Sequence, residues 1–130
     1  MADYEQSTSV HATPSAAYTY LANPRHMPDY VATMTQALPS TSGHLHVAAD
    51  VEDRHEEGEA MFRADPLTRR LEWGREGHDY QGWLSVGDGG GDGEATVTIH
   101  LRTRDDTDRA LVEQSLAETL ANIERAVAAS

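Results

Sequence analysis

The sequence predicts an α+β fold, an antiparallel sheet closed by one long C-terminal helix, and three observations carry that prediction. A period-two run at the start is followed by two stretches that each begin at a proline and read as short helices. The middle of the chain is a series of apolar/polar alternations broken by turn residues. From Thr107 to about Ala128 the apolar repeat then changes to the helical period.

Each element can be justified in order. Tyr4, Gln6, Thr8 and Val10 share one face of a strand over 3–11, and the inward parity of Gln6 and Thr8 predicts an interior that is not uniformly apolar. Thr13 can cap a helix that starts at Pro14, where a missing N–H costs nothing, and runs to about Ala22. Asn23-Pro24 ends it, because a residue before proline is pushed out of the helical region; Pro24 can start a second short helix through Tyr30, made irregular by Pro28. Residues 31–38 lead into 39–43, a loop by composition.

Four strands then follow: His44–Glu52 with Leu45, Val47, Ala49 and Val51 on one face; His55–Asp65 with Gly58, Ala60, Phe62 and Ala64; Arg70–Arg75 with Leu71, Trp73 and Arg75; and His78–Val86 with His78, Tyr80, Gly82, Leu84 and Val86. The glycine-rich run 87–93 connects to Glu94–Arg104, with Ala95, Val97, Ile99 and Leu101 on its inner face. In the helix over 107–128, Val112, Leu116, Thr119, Leu120, Ile123 and Val127 form one stripe, and Asp105, Asp106 and Asp108 lie where the helix dipole favours negative charge.

Composition bounds the function. A chain of 130 residues predicts a single domain over 1–130, and the absence of cysteine excludes disulfides and thiolate sites. A net charge of −12 disfavours nucleic acid and anionic membrane surfaces. Neither a signal peptide nor an apolar span is readable, so the expectation is a cytoplasmic protein without a membrane span.

Strand, two short helices, consecutive antiparallel strands and a long last helix is the order of the helix-grip fold. The chain resembles the START-like or SRPBCC superfamily, which includes START lipid-binding domains and the polyketide cyclase/dehydrase group. The likeness rests on Val10-His11-Ala12-Thr13-Pro14, Tyr20-Leu21-Ala22-Asn23-Pro24 and Met27-Pro28-Asp29-Tyr30, and farther on Arg70-Leu71-Glu72-Trp73 and Tyr80-Gln81-Gly82-Trp83-Leu84. It implies a curved antiparallel sheet wrapped around the C-terminal helix, with a cavity between them. The chain is short for the group, which implies compact loops, a smaller cavity, or a site completed by a second subunit.

On that reading the ligand-binding candidates are Tyr30 and Met34 near the entrance, Phe62, Trp73 and Tyr80 on the sheet, and Leu116, Thr119 and Leu120 on the helix. Arg75, His78 and Tyr80 are the catalytic candidates: an arginine for a carboxylate or enolate, a histidine to move a proton, a tyrosine to donate to a carbonyl. The duller account is that Phe62, Trp73 and the helix leucines fill a core and that 75–79 is an exposed turn.

Other motifs carry less. His44 and His46 share one strand face and, with His55 or His100 nearby, could hold a divalent metal, but they lie on the solvent side without a placed third ligand, so no metal site and no cofactor are expected. Glu57 and Glu59 share the outward face with His55 and read as a solvated edge. The run 87–93 lacks the Lys-Ser/Thr of a phosphate loop. Trp83 has outward parity, so it is either covered by a neighbour or part of a homodimer contact through the outer sheet face.

Three functions remain open: a binding protein for a small apolar or aromatic ligand, an enzyme of the cyclase/dehydratase type using the same cavity, and a protein-interaction module. Binding ranks first because no titratable pair is forced together by spacing.

Overall fold

The computed structural model describes residues 2–31, 34–40, 43–51, 54–74, 81–103 and 109–129. Its order is β1 (Ala2–Val10), α1 (Pro14–Leu21), a 3-10 turn (Pro24–His26), α2 (Met27–Tyr30), β2 (Met34–Pro39), β3 (His44–Val51), β4 (Arg54–Asp65), β5 (Arg70–Gly74), β6 (Gln81–Asp88), β7 (Ala95–Thr103) and α3 (Arg109–Ala129). The strands make one antiparallel sheet in the order β1-β7-β6-β5-β4-β3-β2, so the N-terminal strand closes against the last one and β1 and β2 form the edges. With α3 packed against it, this is the α+β helix-grip architecture that the sequence predicts.

Local chemistry explains the short helices. The Thr13 hydroxyl accepts from Ala16 N at 3.2 Å, capping α1 with Pro14 in its first turn. Asn23 Oδ1 accepts from Arg25 N at 3.1 Å and starts the 3-10 turn, which passes into α2 at Met27. The irregularity expected around Pro28 is this change of helix type.

One strand has no counterpart in the predicted elements. Met34–Pro39 pairs with β3, and its register shifts between Met34 and Gln36. In the glycine-rich connection, Gly89 N donates to Glu94 O at 3.2 Å, and a Cβ on Gly89 would stand 2.6 Å from the Glu94 carbonyl carbon, so the β6–β7 hairpin closes only on glycine there.

The core lies between the sheet and α3. Its most deeply buried side chains include Val10 of β1, Leu21 of α1, Leu71 of β5, Leu84 of β6, Val97 of β7 and Ile123 of α3. The helix stripe is Leu116, Thr119, Leu120, Ile123 and Val127, all buried, with Val112 half-buried at its start. Over 21 residues α3 extends about 31 Å, enough to cross the sheet. Among the described residues no helix is long and apolar enough to cross a membrane.

The inward-facing polar groups of β1 are bonded to α3. Gln6 Nε2 donates to Glu113 O at 3.0 Å and Thr8 Oγ1 donates to Glu124 Oε1 at 3.0 Å, so both polar groups are consumed in fastening β1 to α3. Arg109 completes this seam by lying over the Tyr4 ring at 4.7 Å.

Candidate functional site

Between the sheet and α3 lies an apolar cleft of about 160 Å³. The sheet supplies Phe62 from β4 and Trp73 from β5, which are a cross-strand pair, with Leu45 and Val47 of β3 beyond them. Met27 and Tyr30 of α2 and Met34 of β2 form one wall; Ser115, Leu116 and Thr119 of α3 form another. Its polar groups are few, which suits an apolar molecule held by shape and oriented by one or two hydroxyls.

Trp73 has its place because its partner is glycine. Trp73 pairs with Gly82 across β5 and β6, and a Cβ built on Gly82 would lie 2.5 Å from the indole ring. The ring therefore lies over the space that a side chain at 82 would take, on the inner face of the sheet.

Tyr30 differs from its expected place at the entrance. It is only 3% exposed, its hydroxyl donates to Leu21 O at 2.9 Å, and its carbonyl accepts from Asn122 Nδ2 at 3.2 Å. It is a wall pinned to both α1 and α3. Burial pushes its phenol well above the ordinary tyrosine value, with the nearby Tyr20 adding to the shift.

Of the predicted ligand-binding residues, the structure brings Tyr30, Met34, Phe62, Trp73, Leu116 and Thr119 together around this cleft. Leu120 is buried in the core and does not line it. Helical residues are about 100° apart, which puts Ser115 and Thr119 on one flank of Leu116 and Leu120 on the other. Arg75, His78 and Tyr80, the catalytic candidates, lie outside the described residues. Sequence reasoning did not assign Ser115, which has no hydrogen-bond partner among the described residues and falls one step off the apolar stripe.

The outer face holds His46, His55, His100 and Trp83. Trp83 stacks on His100 at 5.3 Å with the planes 2° apart, and the Arg70 guanidinium lies 4.5 Å from its ring centroid. Of the two expectations for this outward tryptophan, covering by neighbouring side chains is what the described residues show. His46 Nε2 and His55 Nε2 approach the two oxygens of Glu57 at 3.1 and 3.2 Å, and His55 Nδ1 meets Asp50 at 2.8 Å. Hydrogen bonds donated to Asp50 and Glu57 raise the His55 pKa, and those accepted from His46 and His55 lower that of Glu57. Among the described residues no group of three or more His, Asp or Glu is arranged to hold a metal ion.

No protein-family model and no curated protein matches the sequence. Solved structures do resemble the fold. The di-domain ARO/CYC StfQ from the steffimycin biosynthetic pathway aligns over 95% of this chain and 44% of its own, with a TM-score of 0.77 and 17% identity. The chain thus spans less than half the length of that protein, as it does of the di-domain ARO/CYC BexL from the BE-7585A pathway, with 46% covered. The Zhui aromatase/cyclase from Streptomyces sp. R1128 aligns over 97% of this chain and 93% of its own, with a TM-score of 0.74 and 15% identity. A START superfamily protein from Mycobacterium smegmatis gives 96%, 93%, 0.71 and 11% for the same quantities. At these identities the shared property is architecture: the chain has the START-like, SRPBCC-type helix-grip fold.

Proposed function

We propose that the protein binds a small apolar or aromatic molecule in the cleft between the sheet and α3. The observation that carries this reading is the cleft itself, which interrupts an otherwise packed core and is walled by Tyr30, Met34, Phe62, Trp73, Leu116 and Thr119. Trp73 and Phe62 offer flat apolar surface, and Ser115 and Thr119 offer hydroxyls on the opposite wall. On this reading the 130 residues act as one START-like domain in the cytoplasm.

Native mass spectrometry of the purified protein tests it directly. The expected result is a co-purified mass, or saturable one-to-one uptake of naphthalene with a change in tryptophan emission, both lost in Leu116→Trp, which fills the cleft. Absence of any bound mass together with no saturable uptake would overturn the reading.

A second reading, an enzyme of the cyclase/dehydratase type, is supported by the likeness to proteins described as aromatase/cyclases. Arg75, His78 and Tyr80 would polarise a carbonyl and move the proton for an aldol closure or loss of water. His78→Ala and Tyr80→Phe are then expected to abolish turnover of a polyketide-like substrate while sparing its affinity. A protein-interaction role or homodimer through the outer sheet has less support, because Trp83 is engaged by its own neighbours. Sedimentation showing a monomer at high concentration would remove it.

A further inference from the structure

A second concavity lies on the opposite side of the sheet from the cleft. A groove of about 620 Å³ is lined by residues contributed from β1 and from β3 through β7. It falls within the size range of small-molecule sites. Its central feature is the Trp83 ring, with His100 beside it on β7 and Arg70 against it from β5.

The charge of this groove runs against the charge of the chain. The protein carries −12 overall, yet three of its ten arginines, Arg63, Arg70 and Arg102, line the groove against two carboxylates, Asp3 and Glu72. His44 and His100 add two imidazoles. Both carboxylates are engaged: Glu72 accepts from Arg70 Nε at 3.0 Å, and Asp3 lies 3.1 Å from His100 Nε2 and 3.5 Å from Arg102 Nε. Arg63 is exposed and makes no ion pair among the described residues. On an acidic protein, a hollow whose lining has more arginines than carboxylates is less repulsive to an anion than an acidic surface is.

We propose that the outer groove is a second binding site, for a planar aromatic anion. The ring of such a ligand would lie along the exposed part of Trp83 and the exposed side chain of Met61, and its carboxylate or sulfonate would reach Arg63 on one side of the groove or Arg102 on the other. Guanidinium groups are planar forks that match an oxyanion in two places. A neutral apolar ligand would leave the arginines unused, and an extended polyanion would meet the acidic surface beyond the groove.

The groove and the inner cleft share Met61, Phe62, Trp73 and Gly74, so the test must tell the two sites apart. 2-Naphthoate and its neutral counterpart 2-naphthamide are titrated into the full chain by calorimetry, with the two tryptophan indole N–H signals followed by NMR. The expected result is saturable naphthoate binding, about tenfold tighter than naphthamide, that moves the Trp83 signal and weakens with salt. The Arg63→Gln/Arg102→Gln double variant changes exposed side chains only and is expected to lose about tenfold in naphthoate affinity. Leu116→Trp, which fills the cleft, is expected to leave that affinity unchanged. Equal affinity for the two probes, no effect of the arginine substitutions, loss of binding in Leu116→Trp, or no saturation below about 1 mM would each overturn the proposal.

Discussion

Gly82 and Tyr30 show how single residues hold the cleft open and in shape. The indole of Trp73 occupies the space above Gly82, so Gly82→Ala forces a ring displaced from a 2.5 Å overlap into neighbouring core. Overpacking of this kind costs about 1–3 kcal/mol, read as a lower denaturant midpoint with altered tryptophan emission. An unchanged midpoint and spectrum would mean that the ring lies elsewhere. Tyr30 makes a different contribution. Its hydroxyl satisfies Leu21 O in a buried setting, so Tyr30→Phe keeps the ring and leaves that carbonyl short of a partner, at about 1–3 kcal/mol. Because its phenol is raised above the ordinary 10.0, its share of stability is intact below pH 10. That share is lost as pH rises further, where the unfolded chain ionises before the folded one. Tyr30→Phe is therefore expected to flatten the alkaline limb of the stability curve, measured by denaturation at a series of pH values.

At the scale of elements, β3 and β4 carry their own pH dependence. His55 is raised above 6.5 by Asp50 and Glu57, so its contribution is complete below 6.5 and is lost as pH rises through its folded value. Glu57 is lowered from 4.5 by His46 and His55, so its contribution is complete above 4.5 and is lost as pH falls through its folded value. The hairpin is held best between those limits. Amide exchange in β3 and β4, corrected for intrinsic rates, is expected to be slowest near pH 5–6, and His55→Ala removes the maximum. A proton titration of His55 with a midpoint at or below 6.5 would contradict this.

The same elements mark the limits of what the sequence discloses. Strands with one buried face announce themselves: β7 alternates Ala95, Val97 and Ile99 with exposed or half-buried polar residues. In β2 that signal is absent. It is an edge strand with a register shift between Met34 and Gln36, and Thr35, Gln36 and Leu38 are all exposed, so no period survives to be read. Phe62, Trp73, Leu116 and Thr119 were readable as cleft candidates because each lies on an inward face of a strongly periodic element. The outer groove was not, because Arg63, Arg70, Trp83, His100 and Arg102 come from four strands and meet only through registers that no local pattern encodes.

For the molecule as a whole, an open cleft and a closed core are competing demands on one short chain. Interiors pack to crystal-like density, and unfilled apolar space forfeits contacts that would otherwise stabilise the fold. With about 160 Å³ left between sheet and α3, the protein sacrifices stability where a ligand would restore it. Ser115 provides a way to measure the trade. It lines the cleft, is half-buried and has no hydrogen-bond partner among the described residues, so Ser115→Leu adds apolar volume without breaking an interaction. The substitution is expected to stabilise the unliganded protein by about 0.5–2 kcal/mol. For a chain of this size that is a rise of about 2–8 °C in Tm. It is also expected to reduce uptake of an apolar probe, as cavity filling at a functional site does. The two effects must appear together: a rise in Tm with undiminished uptake would place the ligand outside the cleft, and a fall in Tm would mean that this wall is already filled.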